Sequence, residues 1–256
     1  LAHRLQLGPG RRRLREIDRA LAPQMRKEPM PSTSPPIQND ILAALSKTDL
    51  ALLEPSLEHV DLPLRHVLEQ ANKSIKQVYF LQNGLASVIA TNTHRQLEVG
   101  LIGRDGMTGI AVVLGNGRSP NQTFIQVEGE GLVISAEALR EAMDQSRSLE
   151  RALLSFVHSF LNQTTRTALS NGTATLEERL ARWLLMANDR LGGDNVPLTH
   201  EFLSLMLGVR RAGVTVALHY FEQRGIIQLG RKHIVILDRE GLAKAANGTY
   251  HEPDED

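Results

Sequence analysis

The stretch from Leu198 to Leu218 constrains the fold more than any other part of the chain, because it reads as two short helices broken at Gly208. Thr199 follows Pro197 and is placed as a helix N-cap, its side-chain oxygen available to the first free amides. Phe202, Leu203, Leu205, Met206 and Leu207 give the first helix a broad apolar side. Ser204, four positions before Gly208, is small enough for the two helices to cross closely. Val209, Val214 and Leu218 follow the glycine at one, six and ten positions. This is the spacing of a helix-turn-helix. The second helix is predicted to bury Val214, Ala217, Leu218 and Phe221 and to leave Arg210, Arg211 and Thr215 free for a nucleic-acid groove.

Any helical hairpin with a glycine imitates that motif, so the residues after it matter. Beyond Arg224 and Gly225 come two β-type runs, Ile226 to Leu229 and His233 to Leu237, separated by Gly230, Arg231 and Lys232. They predict a hairpin with a basic tip, which is the wing of a winged helix-turn-helix.

At 256 residues, 41% of them hydrophobic, the chain has material for two modest domains with separate cores. Lys plus Arg and Asp plus Glu are 29 each, so a DNA partner requires a local basic face rather than a basic protein. Cysteine is absent, which excludes disulfides, Cys-ligated iron–sulfur clusters and a thiol nucleophile. The histidines, among them His59, His66, His94 and His158, show no ligand spacing, and no metal or haem is assigned to them. No apolar run approaches the roughly 18 residues of a membrane span, and no signal-peptide core is present. The expectation is a cytoplasmic protein with no membrane partner. Gly-x-Ser-x-Gly, Gly-Lys-Ser and His-Glu-x-x-His signatures are missing, and the chain is not expected to be an enzyme.

Residues 1–36 combine an Arg-rich run, Arg11 to Arg15, with a Pro-rich segment and read as a disordered extension. Either a phosphate-tracking arm or residues upstream of a start at Met30 accounts for them. Residues 37–147 are predicted to form a sensor domain: two short helices up to Leu57, then alternating strands at Val78–Phe80, Leu85–Ile89, Leu97–Leu101, Phe124–Val127 and Leu132–Ile134. Several short strands at this spacing imply a small antiparallel β-roll or jelly roll. A short helix capped by Ser135 leads to a long one over 148–171. Within it Leu149, Leu153, Phe156, Phe160, Gln163, Thr167 and Ser170 follow a coiled-coil seam. That seam is read as a dimer interface, because a helix-turn-helix ordinarily needs a twofold axis; the alternative is a helix packed on its own roll. A hinge after Asn171 precedes the DNA-binding domain, 176–247, and an acidic tail, 248–256. The fold class is α+β.

In this order the elements resemble the Crp/Fnr family of bacterial transcription regulators. The likeness is carried by Glu178 to Leu185, Leu198 to Leu218 and Gly225 to Ile227. It implies a homodimer that binds double-stranded DNA, senses a signal in its roll and works with RNA polymerase. Arg211 falls where members set an arginine on a guanine edge. Arg210 and Thr215 share its face, Thr199 and His200 take phosphate positions, and Arg231 and Lys232 take backbone positions in the wing. The acidic base-reading position is Ala212. In the sensor, Gly109, Asn121, Gln122, Thr164 and Thr165 correspond to effector positions, with purely structural roles as the alternative. Where cyclic-nucleotide binders carry a ribose-binding glutamate this chain has Ile110, and where they carry a phosphate-binding Arg-Ser pair it has Asn121 and Gln122. Cyclic AMP is therefore not the expected effector, and no cofactor is identified. A module that binds cyclic nucleotide and acts through protein contacts is the second reading.

Overall fold

The computed structural model describes residues 27–29, 36–92 and 96–251. The expectation of disorder over 1–36 and the end of the acidic tail lie largely outside them. Two four-stranded antiparallel sheets form the N-terminal half. One has the order β1 (Lys27–Pro29), β2 (Glu58–Leu62), β8 (Gly129–Ser135), β4 (Gln77–Leu81). The other has the order β3 (Val67–Glu69), β7 (Gln122–Val127), β5 (Leu85–Thr91), β6 (Gln96–Ile102). Side chains alternate along a strand, so β4, β5, β6 and β8 each feed two cores. Between the sheets, Val60, Leu62, Tyr79 and Leu81 meet Ala86, Val88, Ile102 and Ile125. On the far side of the first sheet, Val78, Phe80, Leu132 and Ile134 pack under helices.

Those helices are α1 (Asp40–Ala44), α2 (Lys47–Leu53), the short α3 (Ile110–Val113), α4 (Ala136–Gln145) and α5 (Arg147–Thr173). Local chemistry sets their starts. Asn39, Ser46, Ser135 and Ser146 accept from the amides of Leu42, Asp49, Ala138 and Leu149 respectively, each satisfying one donor that the helix leaves free. The predicted cap at Ser135 is thus observed.

The seam read from α5 packs, at least in its first half, against its own chain. Leu149 and Leu153 are fully buried in the core beneath the first sheet. Phe156 and Phe160 close over Gly106 and Gly100, where any Cβ would collide with their rings. Gln163 accepts from the Leu101 amide at 2.6 Å and donates to the Leu101 carbonyl at 3.1 Å. This face of α5 packs on its own roll. The opposite face carries Leu154, Leu161 and Leu169, exposed at 38%, 60% and 65%.

The C-terminal half runs through α6 (Leu176–Leu191), β9 (Asn195–Val196), α7 (His200–Met206), α8 (Arg211–Gln223), β10 (Ile227–Gly230), β11 (His233–Ile236) and α9 (Arg239–Ala245). A capping box between Thr175 and Glu178 starts α6, and Gly192, at φ +68°, ends it. Thr199 caps α7 as predicted, and Asp238 caps α9. Trp183 is core, 4% exposed. Strand β9 adds to the wing hairpin to make three strands in the order β10-β11-β9.

The two halves share a core. Leu85, Ile89, Leu101 and Val127, from the outer face of the second sheet, join Leu180, Leu184, Leu207 and Phe221 of the C-terminal half. This is why β5 and β6 are buried on both faces although their sequences alternate only weakly.

Candidate nucleic-acid interface and sensor region

Helices α7 and α8 turn through 112° across Gly208, within the range of helix-turn-helix pairs. Gly208 has φ +64°, a conformation that glycine adopts without strain. Val214, Ala217, Leu218 and Phe221 are all fully buried, so the inward face of α8 is the one its sequence predicts. Leu203, Met206 and Leu207 anchor α7, whereas Leu205, read as part of its apolar side, is 40% exposed.

On the outward face of α8, Arg211, Ala212, Val216, His219 and Tyr220 are exposed. Arg210 is the N-cap residue of α8 and makes no side-chain cap bond. Thr215 donates to the Arg211 carbonyl at 3.1 Å, and its oxygen lies 3.0 Å from His200 Nδ1. Since the threonine proton is committed to the carbonyl, the second contact is satisfied when Nδ1 donates. His200 is half-buried, and burial first, then the charges of Arg211 and His219, hold its pKa below the ordinary value. It is therefore a neutral brace for Thr215 at neutral pH. Thr199, placed by the resemblance at a phosphate, here accepts from the Phe202 amide as the cap.

In the wing, Gly230 pairs with His233 and leaves Arg231 and Lys232 as an exposed two-residue turn, with Lys232 at φ +66°. Glu222 of α8 accepts from the Leu229 amide at 3.0 Å, which fixes the wing against the recognition helix. The Arg224 guanidinium lies 3.6 Å from the centroid of the Tyr220 ring, a cation–π contact. Val216, 68% exposed, was missed in the sequence; its position two after Val214 on a helix puts it on the outward face, which is the available signal.

The five effector positions are spread over α3, the start of β7 and the middle of α5. Gly109, the N-cap residue of α3 at φ +78°, donates its amide to Glu69 at 2.6 Å. The other Glu69 oxygen accepts from Thr123 at 2.9 Å. Burial raises the Glu69 pKa, against the pull of these two bonds. The turn that would receive an anionic ligand is thus closed by a carboxylate of the protein itself. Asn121 donates its amide to Ser119, and Gln122 opens β7. Thr164 and Thr165 bond back to the carbonyls of Phe160 and Leu161. None of the five lines the cavity of about 410 Å³ that lies between α1, α5, α6 and the segment after α9.

The helix-turn-helix is also tied to the roll. Leu97 of β6 fills the space a Cβ on Gly208 would need. Arg65 sits 5.5 Å from the centroid of the Phe202 ring. Arg179 donates to the Leu207 carbonyl, and the Trp183 indole donates to Glu98 of β6. Glu98 is 5% exposed, and burial pushes its pKa up to about 7. Among the described residues, no cluster of three His, Asp or Glu side chains is placed to hold a metal.

A winged helix-turn-helix with an exposed arginine-bearing second helix, joined to a double-sheet roll, defines the class of the C-terminal half as a helix-turn-helix DNA-binding domain. Residues 178–245 match the family model of the Crp-like helix-turn-helix domain. The chain is 23% identical over 214 residues to the CRP-like cAMP-activated global transcriptional regulator of Mycobacterium tuberculosis, covering 80% of this chain and 96% of that one. In fold it is similar to a crp/fnr-family transcriptional regulator from Eubacterium rectale, with TM-score 0.63, 17% identity, and 82% and 98% of the two chains covered. It is likewise similar to FixK2 from Bradyrhizobium japonicum, with TM-score 0.64, 17% identity, and 74% and 96% covered. Residues 178–245 thus carry a Crp-like helix-turn-helix domain, and the chain as a whole has the fold of the solved regulators it is similar to.

Proposed function

We propose that the protein acts as a homodimer that reads a pseudo-palindromic operator, with one α8 in each of two successive major grooves. The observation that carries this reading is the outward face of α8. Arg211 stands exposed in its first turn, Thr215 is braced by His200, and Val216 presents an apolar surface one turn on. Guanidinium pairs with the O6 and N7 of guanine, and a small apolar side chain fits a thymine methyl. Arg231 and Lys232 supply phosphate contacts that position the head without reading sequence. The dimer is supported by the free face of α5, where Leu154, Leu161 and Ala168 are exposed one heptad apart.

DNA selected from a random library provides the operator for the test. Arg211→Ala is expected to lose about 1–3 kcal/mol of binding and to relax preference at one position per half-site. Unchanged affinity and preference would refute the assignment of α8.

Signal reception in the roll differs from cyclic-nucleotide binding. Ile110 stands at the ribose position, Asn121 and Gln122 stand at the phosphate position, and Glu69 occupies the Gly109 amide. Each missing charge-assisted bond removes about 1.5–3 kcal/mol. Titration with cyclic AMP is expected to show no saturable binding in the micromolar range. RNA polymerase is the partner through which such a regulator would act on transcription.

A further inference from the structure

Arg182 and Arg190 of α6 are 7% and 9% exposed, and both line the 410 Å³ cavity together with Arg166 of α5. The acids around this cavity are already engaged. Asp105 meets Arg190 at 2.8 Å, Asp189 meets Arg239 at 2.8 Å, and Asp40 lies 3.6 Å from Arg104. Arg182, by contrast, bonds to carbonyl oxygens, of Thr249 at 3.0 Å and Gln163 at 3.4 Å. Arg190 has a buried Nε with no partner. Burial, then the neighbouring charges of Arg190 and Arg166, bring the Arg182 pKa down to about 10, against the pull of Glu98. Glu98 itself is held partly neutral by burial and does not cancel the excess.

Ile41, Phe156, Phe160 and Met186 give the wall an apolar part, beside polar groups of Ser159, Gln163, Thr249 and His251. Buried guanidinium with an incomplete set of acceptors, beside an aromatic wall, has the chemistry of a site for an amphipathic anion. We propose that this cavity binds a small organic anion, an apolar ring or branched body bearing a carboxylate or phosphate that meets Arg182 and Arg190.

This goes beyond DNA reading and is independent of it. An occupant touches α1, α5, α6 and the segment around Tyr250 at once, so it has different contacts in any two arrangements of sensor and reading head. That is the condition for a ligand to shift such an equilibrium. The site is separate from the Gly109 turn, which the protein closes with Glu69.

The test is calorimetric titration of the full chain, without DNA, with 2-naphthoate, 2-naphthyl phosphate and 2-naphthylmethanol. At least one anion is expected to bind one per protomer and at least tenfold more tightly than the neutral alcohol. The preferred anion then distinguishes carboxylate from phosphate. Arg182→Gln and Ser155→Trp, the latter filling the cavity from an exposed position on α5, are each expected to weaken anion binding at least tenfold. Should Arg182→Gln fail to fold, Ser155→Trp tests the location and the alcohol tests the charge requirement. No saturable anion binding, equal affinity for the alcohol, or binding indifferent to the cavity-filling change would overturn the proposal.

Discussion

Glu98 gives the fold a pH signature of its own. Burial lifts its pKa from 4.5 to about 7, opposed by hydrogen bonding and by the charges of Arg182 and Arg190. The folded protein therefore holds the Glu98 proton more tightly than the unfolded chain. The stability this confers is complete below about pH 4.5 and is lost as pH rises through about 7. At 1.36 kcal/mol per pH unit the displacement corresponds to about 3 kcal/mol. Glu98→Gln keeps an oxygen for the Trp183 indole and cannot ionise. Its Tm is expected to equal that of the wild type near pH 4.5 and to exceed it at pH 7.5; parallel Tm curves would refute the role of Glu98. Caps such as Thr199 and Ser135 were legible because one side chain and one amide, close in sequence, decide them. Glu98 was not. It alternates with Leu97 and Val99 and so reads as a solvent-facing strand residue, and only the arrival of α6 over β6 buries it. Glu69 at the Gly109 turn is hidden for the same reason, since 40 residues separate the partners.

Helix α5 poses the corresponding problem at the scale of an element. It carries two stripes, one at alternating four-three spacing through Leu149, Leu153, Phe156 and Phe160, the other at heptad spacing through Leu154, Leu161 and Ala168. Periodicity identifies stripes but does not say what covers each, and the stronger stripe was read as the dimer seam. It is stronger because it packs on the roll of its own chain. The two stripes predict opposite phenotypes. Leu153→Ala, at a fully buried position, is expected to cost about 2–5 kcal/mol of stability, seen as a lower denaturant midpoint. Leu161→Glu, at a position 60% exposed, is expected to leave the secondary structure intact and to shift sedimentation from dimer towards monomer. A Leu161→Glu protein that stays dimeric would place the twofold axis elsewhere. The helix-turn-helix and wing, in contrast, were legible almost to the residue. Their turns are made by Gly208 and by the Arg231–Lys232 pair, and short-range turn chemistry is what sequence expresses best.

Across the whole molecule, the formal charges cancel, and DNA binding must come from where the basic groups sit. The wing tip separates this positional term from base reading. It is exposed, and its support is independent of its side chains, through the β10–β11–β9 pairing and the Glu222 bond to Leu229. Arg231→Ala combined with Lys232→Gly preserves the turn, because glycine readily takes the φ of +66° found at Lys232. In a dimer the double change removes four positive charges. At about 0.9 released counterions per phosphate contact, the slope of log K against log salt concentration is expected to become shallower by about 3–4. The selected operator sequence should remain the same, since these residues touch backbone rather than base edges. Binding measured across a salt series, on the selected operator and on a scrambled duplex, tests both statements. Equal loss of affinity on the two duplexes with a reduced slope fits a positioning wing. An unchanged slope would show that the wing tip makes no phosphate contact. A loss confined to the operator would mean that the wing reads bases, and the division of labour between α8 and the hairpin would have to be redrawn.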